Sequence, residues 1–381
     1  MKLFHLADLH IGKTVNGFSL LEDQQEILMQ VLKEIDRHQP QGLMIAGDLY
    51  DKPLPSGGAV SLFDDFLTAV SQKGVTVFLI SGNHDSPERL EFGSRILAGK
   101  DIHIAGVFQG EMKEVLLEDE YGPMYFHLLP FVRPAHVRPF FPEEKIENYT
   151  DAIRVIINKN SLPKEERKVL LAHQFVLPPG GEIERSESET EPVGGINAIS
   201  SGLFEEYDYV ALGHLHKPQK VGRKEVRYGG SPLKYSFSEW KHQKAITVVE
   251  LKHKGECEIT SLPFTPIRDM RKIKGPFEKI TEEAMILQGN PLDFLHVTLT
   301  DEEEIVDAIG KLRHFYPNIM ELDFDNTRTR YAGKTIHQAD VKKKDPFLLF
   351  EAFFKEQNGQ ELSAGQQKIV YDLLKKEEGD L

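Results

Sequence analysis

The 381-residue chain has one cysteine, Cys257, and one tryptophan, Trp240. A lone thiol excludes a disulfide framework and any cysteine-built zinc site, and it points to a cytoplasmic protein. No run approaches the ~20 consecutive apolar residues that cross a bilayer, so no membrane span is expected. The opening Met1-Lys2-Leu3-Phe4-His5-Leu6-Ala7-Asp8 lacks an apolar signal core, because charge arrives by Asp8. It therefore predicts no secretion signal. No internal repeat of fixed period is evident. Basic residues are outnumbered, 46 against 60 acidic, for a net charge of −14, which excludes a histone-like coat for DNA. It does not exclude nucleic acid, since clustered acids hold metal ions and local basic patches hold phosphates. With 40% hydrophobic residues the chain is not disordered. At roughly 150 residues per domain, the length predicts two or three domains.

Buried strands and helices alternate along the first part of the chain. Leu3–Ala7, Leu43–Ala46 and Val75–Ile80 read as short apolar strands. Ser19 with Glu22 reads as a capping box opening a helix whose face carries Ile27, Leu28, Val31 and Ile35. A second helix is predicted from about Gly58 to Gln72, and Ser86-Pro87 reads as a third helix start. Strands recur at Val169–Ala172 and Tyr209–Leu212, and the stretch from Arg227 to about Pro263 is β-rich. This pattern predicts an α/β fold in which a second sheet packs on the first. Gly180 to Gly195 is acidic and nearly free of apolar residues, and reads as a mobile surface loop. Three regions follow: 1–265, a small α/β domain at 266–335, and a linker with a helical tail at 336–381.

Polar motifs fall just after the predicted strands, where α/β sheets place their ligands. They are Asp8-x-His10, Gly47-Asp48-x-x-Asp51, Gly82-Asn83-His84-Asp85, the single His173, and Gly213-His214-x-His216. Each is weak alone. Together they can converge on one sheet edge. Mixed carboxylate, amide and imidazole ligands suit manganese, iron or zinc. Paired ions ~3.5–4 Å apart stabilise both attacking and leaving oxygens at phosphorus. A carboxylate bridges such ions best, and Asp48 is the natural candidate.

The five motifs resemble the calcineurin-like metallophosphoesterase superfamily. The opening Met1 to Gly12, and Tyr228-Gly229-Gly230-Ser231-Pro232-Leu233-Lys234-Tyr235-Ser236-Phe237-Ser238-Glu239, are similar to its SbcD family of nuclease subunits. The resemblance implies a sandwich of two packed β-sheets flanked by helices, a small α/β capping domain and a helical tail. It also implies two divalent ions, Mn2+ foremost. Asp8, His10 and His216 would hold the first ion and Asn83, His173 and His214 the second, with Asp48 bridging. His84 would stabilise the transition state or protonate the leaving 3′ oxygen, and Asp85 would orient His84. Archaeal and eukaryotic relatives carry a histidine at the position of Asp51, so the phosphate contact made by that histidine is not carried over.

The implied activity is hydrolysis of phosphodiesters in DNA. It would act 3′→5′ on duplex ends and endonucleolytically on hairpins or single strands, in DNA repair and recombination. The implied partners are DNA and an SbcC-type SMC-like ATPase, with a homodimer inside a heterotetramer. For DNA, the candidates are Arg133 and Arg138 among aromatic residues, and Lys217, Lys220, Arg223 and Lys224 after the last motif. For the ATPase they are Phe347, Phe350, Phe353 and Phe354 on one tail helix. A generic phosphatase or cyclic-nucleotide phosphodiesterase is the alternative enzyme. A metal-free protein-binding scaffold is the non-enzymatic one.

Overall fold

The computed structural model describes residues 1–189, 198–327, 329, 346–358 and 360–378. The chain divides after Met270 into two compact units.

The first unit begins with β1 (Lys2–Leu6), α1 (Leu21–His38), β2 (Gly42–Ala46), α2 (Gly57–Gln72), β3 (Thr76–Ile80) and β4 (Ile102–Ala105). The hairpin β5 (Lys113–Asp119) and β6 (Gly122–Leu129) follows, then α3 (Tyr149–Lys159), β7 (Arg167–Ala172) and β8 (Tyr209–Leu212). Strands β9 (Gln219–Val221), β10 (Arg223–Tyr228), β11 (Ala245–Leu251) and β12 (Cys257–Pro263) complete it. They form two six-stranded sheets, in the orders β12-β11-β1-β2-β3-β4 and β9-β10-β8-β7-β6-β5. Strands β1 to β4 run parallel, as do β6, β7, β8 and β10, while antiparallel strands close the edges.

Alternation of side chains explains the sandwich. On β7 and β8, Val169, Leu171, Tyr209 and Ala211 face a core shared with Leu3, Met44, Phe78 and Ile80 of the first sheet. There Phe78 stacks on Phe126 with ring centroids 4.1 Å apart. The intervening Leu170, Ala172, Val210 and Leu212 pack with Ile153 and Ile156 of α3. Both faces of these strands are thus buried, as their unbroken apolar runs require. The sandwich matches the expected architecture. The β5–β6 hairpin was not anticipated, because only its second strand is strongly apolar: Val115 and Phe126 are buried but Leu116 is exposed.

The predicted capping box at Ser19 does not form. Ser19 pairs with Thr14 in a small hairpin, so the helix starts one residue later, with Leu20 as its cap residue and no side-chain cap. The second helix starts at Gly57, where the Ser56 hydroxyl accepts from the Ala59 amide at 3.2 Å.

In the second unit β13 (Met270–Gly275), β14 (Phe294–Leu299) and β15 (Ile319–Phe324) form a three-stranded sheet. Its core holds Ile273, Leu295, Val297, Leu299, Leu312 and Tyr316. The helix expected over Glu302–His314 is shorter: α4 spans Ala308–Arg313, with Asp307 as cap residue at φ 52° and its side chain accepting from Gly310. The acidic stretch before Asp307 offers few apolar residues to bury, so only the last part winds into helix. The expected helix at Phe277–Leu287 is two short ones, Phe277–Ile280 and Glu283–Ile286. The tail forms α5 (Pro346–Asn358) and α6 (Ala364–Glu378), and the expected linker from 336 lies outside the described residues up to 345. No helix among the described residues is long and apolar enough to cross a membrane.

Candidate metal centre

All five motifs leave the carboxyl ends of parallel strands. Asp8 and His10 follow β1, Asp48 follows β2, and Asn83 to Asp85 follow β3; these three strands are neighbours in one sheet. His173 follows β7, and His214 and His216 follow β8, neighbours in the other sheet. Because the sheets pack face to face, the two groups of loops meet over one edge of the sandwich.

The loops turn hard to do this. Asp8, His10, Asp48 and His214 have φ of 52°, 43°, 49° and 105°, half of the eight non-glycine residues with positive φ among those described. Such conformations cost energy and gather at functional sites. Glycines beside them leave no room for a side chain. A Cβ at Gly82 would collide with the Asp48 carboxylate, and one at Gly213 with the Ala46 carbonyl.

Asp8, His10, Asp48, His173 and His216 are buried. The His10 and His216 Nε2 atoms lie 3.2 Å apart. Asp48 Oδ2 is 3.7 Å from His10 Nε2 and 3.3 Å from His173 Nε2, so one carboxylate stands between two imidazole-lined halves. Its other oxygen accepts the His84 amide at 2.8 Å. Asn83 Oδ1 lies 2.9 Å from His214 Nδ1 and 3.2 Å from His173 Nε2. Asp8 Oδ1 accepts the His214 amide at 2.8 Å, while Asp8 Oδ2 is buried with no partner among the described residues. His173 Nδ1 is committed to the Ala46 carbonyl at 2.7 Å, which aims Nε2 at the two carboxylates.

Donor atoms of Asp8, His10 and His216 lie close enough to hold one ion, as do those of Asp8, Asp48 and His173, and of His10, Asp51 and His84. The electrostatics fit cations. Burial lifts the Asp8 carboxyl to about 7, against the pull of His173 and His216. Burial also disfavours the Asp48 anion, but His173 outweighs it and holds the carboxyl far below its usual range. Burial disfavours the His173 cation, yet Asp48 and Asp8 raise it to about 9. His10 and His214 are held low by burial, His214 to about 3. In the protein alone, the proton on His173 thus supplies the positive charge that the carboxylates call for. An unpaired Asp8 oxygen, the His10 and His214 imidazoles kept neutral by burial and one central carboxylate together suit a divalent ion.

One expectation among the motifs changes. Asp85 does not hydrogen-bond His84. Its carboxylate accepts from the amides of Gly82, Leu49 and Tyr50 at 2.9, 3.1 and 2.9 Å, tying two ligand loops together. The His84 ring instead places Nδ1 3.1 Å from the Asp51 carbonyl and packs edge-on to His10, with ring centroids 4.8 Å apart. Asp51 takes Lys13 at 2.7 Å and lies 3.7 Å from His10 Nδ1, so it orders its neighbours.

The basic run after His216 is also not a free patch. Arg223 donates to the carbonyls of Phe204 and Tyr207, Lys224 to that of Cys257, and Lys217 pairs with Glu184; only Lys220 has no such partner among the described residues. Arg138 donates to the Ile146 carbonyl at 2.8 Å. Arg133 is exposed; its guanidinium sits over the Phe131 ring, which in turn meets His173 edge-on.

The acidic loop departs most from expectation. Residues 190–195 lie outside those described, but 184–189 dock on the segment around His216. Ser186 is buried, the Glu187 amide donates to Ser238 at 3.0 Å, and Glu189 accepts the His216 amide at 2.7 Å. The carboxylates find amides and cations around the site, which is why an apparently solvated string is held down. Sequence reasoning also missed Gln24, which accepts from the Gly12 amide and donates to the carbonyls of Leu9 and His10. Tyr235, to which the sequence assigned no role, places its ring beside both His10 and His216. Its signal was its segment, Tyr228–Glu239; Gln24 left none beyond its place in an amphipathic helix.

A model described as calcineurin-like phosphoesterase matches residues 1–218, and one described as type 5 capsule protein repressor C-terminal domain matches 266–358. The chain is 32% identical over 378 residues to the SbcD subunit of nuclease SbcCD from Staphylococcus epidermidis, covering 98% of each. It is 30% identical over 380 residues to the protein of that name from Staphylococcus saprophyticus, again covering 98% of each. Among solved structures, a dimetal phosphatase from Danio rerio aligns with a TM-score of 0.38 and 11% identity, over 70% of this chain and 99% of that one. The family brings divalent metal ions with it, and the convergent carboxylates and imidazoles are of the kind that bind them. On a full-length match to these relatives and a calcineurin-like domain over most of its first unit, the chain belongs to the SbcD family of metallophosphoesterases.

Proposed function

We propose that this protein is the nuclease subunit of a DNA-processing complex, hydrolysing phosphodiester bonds with two divalent ions, Mn2+ by preference. The observation that carries the reading is Asp48, whose Oδ2 stands 3.7 Å from His10 Nε2 and 3.3 Å from His173 Nε2. In this reading Asp8, His10 and His216 hold one ion, Asn83, His173 and His214 hold the other, and Asp48 serves both. Bound ions supply Lewis acidity to the phosphoryl group and to the attacking water.

The chain's own groups do the rest. His173 would hold an ion through a neutral Nε2, its proton released to solvent, with Nδ1 kept on the Ala46 carbonyl. Asp85 fixes the Asp48 and Asn83 loops at one spacing through its three amide bonds. His84 commits Nδ1 to the Asp51 carbonyl and leaves Nε2 as the atom that holds a proton for the leaving 3′ oxygen. Arg133 lies beside the site and takes a DNA phosphate.

The acting form cleaves 3′→5′ from duplex ends and cuts hairpins or single strands, with the α/β part of the second unit selecting the DNA structure. An SbcC-type ATPase controls access, docking on α5. Phe350 and Phe353 are 39% and 50% exposed there, while Phe347 turns to Tyr371 of α6. The protein pairs with a second copy inside a heterotetramer, and the exposed Phe92 and Ile96 of the first unit offer apolar surface for that contact.

The test is substrate choice with metal content. Purified protein loaded with Mn2+ is offered linear duplex, hairpin DNA, a phosphomonoester and a cyclic nucleotide. Two ions per chain with cleavage of DNA alone is expected. Turnover of the small esters alone would make it a generic phosphoesterase, and absence of both metal and turnover would make it a scaffold.

A further inference from the structure

Around His216 the structure holds a chain of polar groups, half-buried at Ser188 and buried at Glu239 and Lys244, that the proposed chemistry does not use. Ser188 Oγ lies 2.7 Å from His216 Nδ1 and 2.6 Å from Glu239 Oε1. Glu239 is fully buried, and its other oxygen receives Lys244 Nζ at 2.5 Å. Lys244 is buried too, and also donates to the His216 carbonyl at 2.7 Å and the Ser231 hydroxyl at 2.8 Å. The Ser236 hydroxyl and the Tyr235 amide supply further bonds to Glu239 Oε1, at 3.1 and 3.3 Å.

Donor counting fixes the protons. A carboxylate paired with lysine accepts only, so the Ser188 hydroxyl must donate to Glu239. That hydroxyl then accepts from His216, which places the imidazole proton on Nδ1. The lone pair is left on Nε2, the atom that faces His10 Nε2.

We propose that Ser188 is a positioning residue for the first metal: it relays the Glu239 carboxylate to His216 Nδ1, fixing the tautomer and ring orientation that present Nε2 to the ion. Metal-bound histidines commonly need such a partner, and its loss costs about 10–100-fold in affinity. The inference rests on the metal-ligand reading of His216. It makes the docked part of the acidic loop a determinant of metal affinity rather than a solvated insertion.

The test is Mn2+ titration of the metal-free full chain by calorimetry, with the melting temperature of the metal-free form measured alongside. Ser188→Ala is expected to weaken one of two binding events about 10–100-fold and leave the other unchanged. Ser188→Thr, which keeps the hydroxyl, is expected to restore it. Ser188→Cys keeps the shape with a poorer donor and acceptor, and must weaken the site too, so the inference survives a failure of the alanine variant to fold. Wild-type affinity in Ser188→Ala, with His216→Ala weakened, would overturn the relay alone. Wild-type affinity in His216→Ala would overturn the metal-ligand reading and the relay with it. Equal weakening in Ser188→Thr and Ser188→Ala, at an unchanged melting temperature, would also overturn the relay.

Discussion

At the scale of single residues, the site is built by constraints on backbone and protons before any ion is considered. Gly82 shows the first kind, since only hydrogen fits against the Asp48 carboxylate. Gly82→Ala should displace Asp48, lower the melting temperature and abolish one Mn2+ binding event, all readable in one calorimetric series. A variant with both metals bound at wild-type affinity would contradict the packing argument. Asp85 shows the second kind. Three amides, two of them buried, lose their acceptor in Asp85→Ala, and each buried unsatisfied donor costs roughly 1–3 kcal/mol. Urea unfolding of the metal-free protein should show a loss of several kcal/mol, with Asp85→Asn recovering part of it. A loss of activity with no loss of stability would instead return Asp85 to the orienting role first expected of it. The candidate ligands proposed above were legible at this scale, because Asp8, His10, Asp48, Asn83, His173, His214 and His216 each follow a readable strand. Their supports were not. Glu239 and Ser188 are 51 residues apart, and Gln24 meets Tyr235 across 211, so no local pattern could reveal either pairing.

At the scale of elements, strands were read better than helix starts. The largely apolar strands β1, β2, β3, β7 and β8 are buried throughout, except for a half-buried first residue in β1 and β3, so composition marked them. The helix start at Leu21 was misread because Ser19 was already paired in a hairpin, a tertiary fact that a capping pattern cannot contain. The β5–β6 hairpin escaped for want of periodicity, yet it carries a testable ion pair. Burial disfavours the Asp119 anion, but Arg167, at 2.5 Å, and the Met1 ammonium, at 2.8 Å, outweigh this and bring the carboxyl down to about 2. Its folded value is below the ~3.9 of an unfolded aspartate, so its stabilisation is present above about pH 4 and is lost as pH falls towards 2. Asp119→Asn should therefore be less stable than wild type at pH 7, and the gap should narrow below about pH 4 and close only below about pH 2. A gap independent of pH would show that the pair contributes through packing alone. On the opposite face of the second sheet, Ile153→Ala in α3 removes a fully buried side chain, and unfolding should register about 2–5 kcal/mol.

At the scale of the whole molecule, order along the chain predicted the sandwich, because parallel strands joined by helices must pack as layers. What the sequence could not reveal was that the acidic segment docks on the site, since its carboxylates read as solvent-seeking until their amide and lysine partners are seen in space. The tail makes a separate claim. Phe350→Asp with Phe353→Asp should leave the unfolding of the first unit unchanged and remove association with the proposed ATPase partner, measured by co-purification of the two chains. Retained association would place the docking surface elsewhere. The central claim is that His84 moves a proton beside an intact pair of metal sites. Mn2+-dependent cleavage of linear duplex and hairpin DNA by wild type and His84→Ala, with metal content measured on both proteins, tests it most directly. Two bound ions are expected in both proteins, with a loss of cleavage in the variant of about 10²–10⁴-fold, the usual worth of general acid–base help. Full cleavage by His84→Ala, or loss of cleavage together with loss of metal, would contradict it.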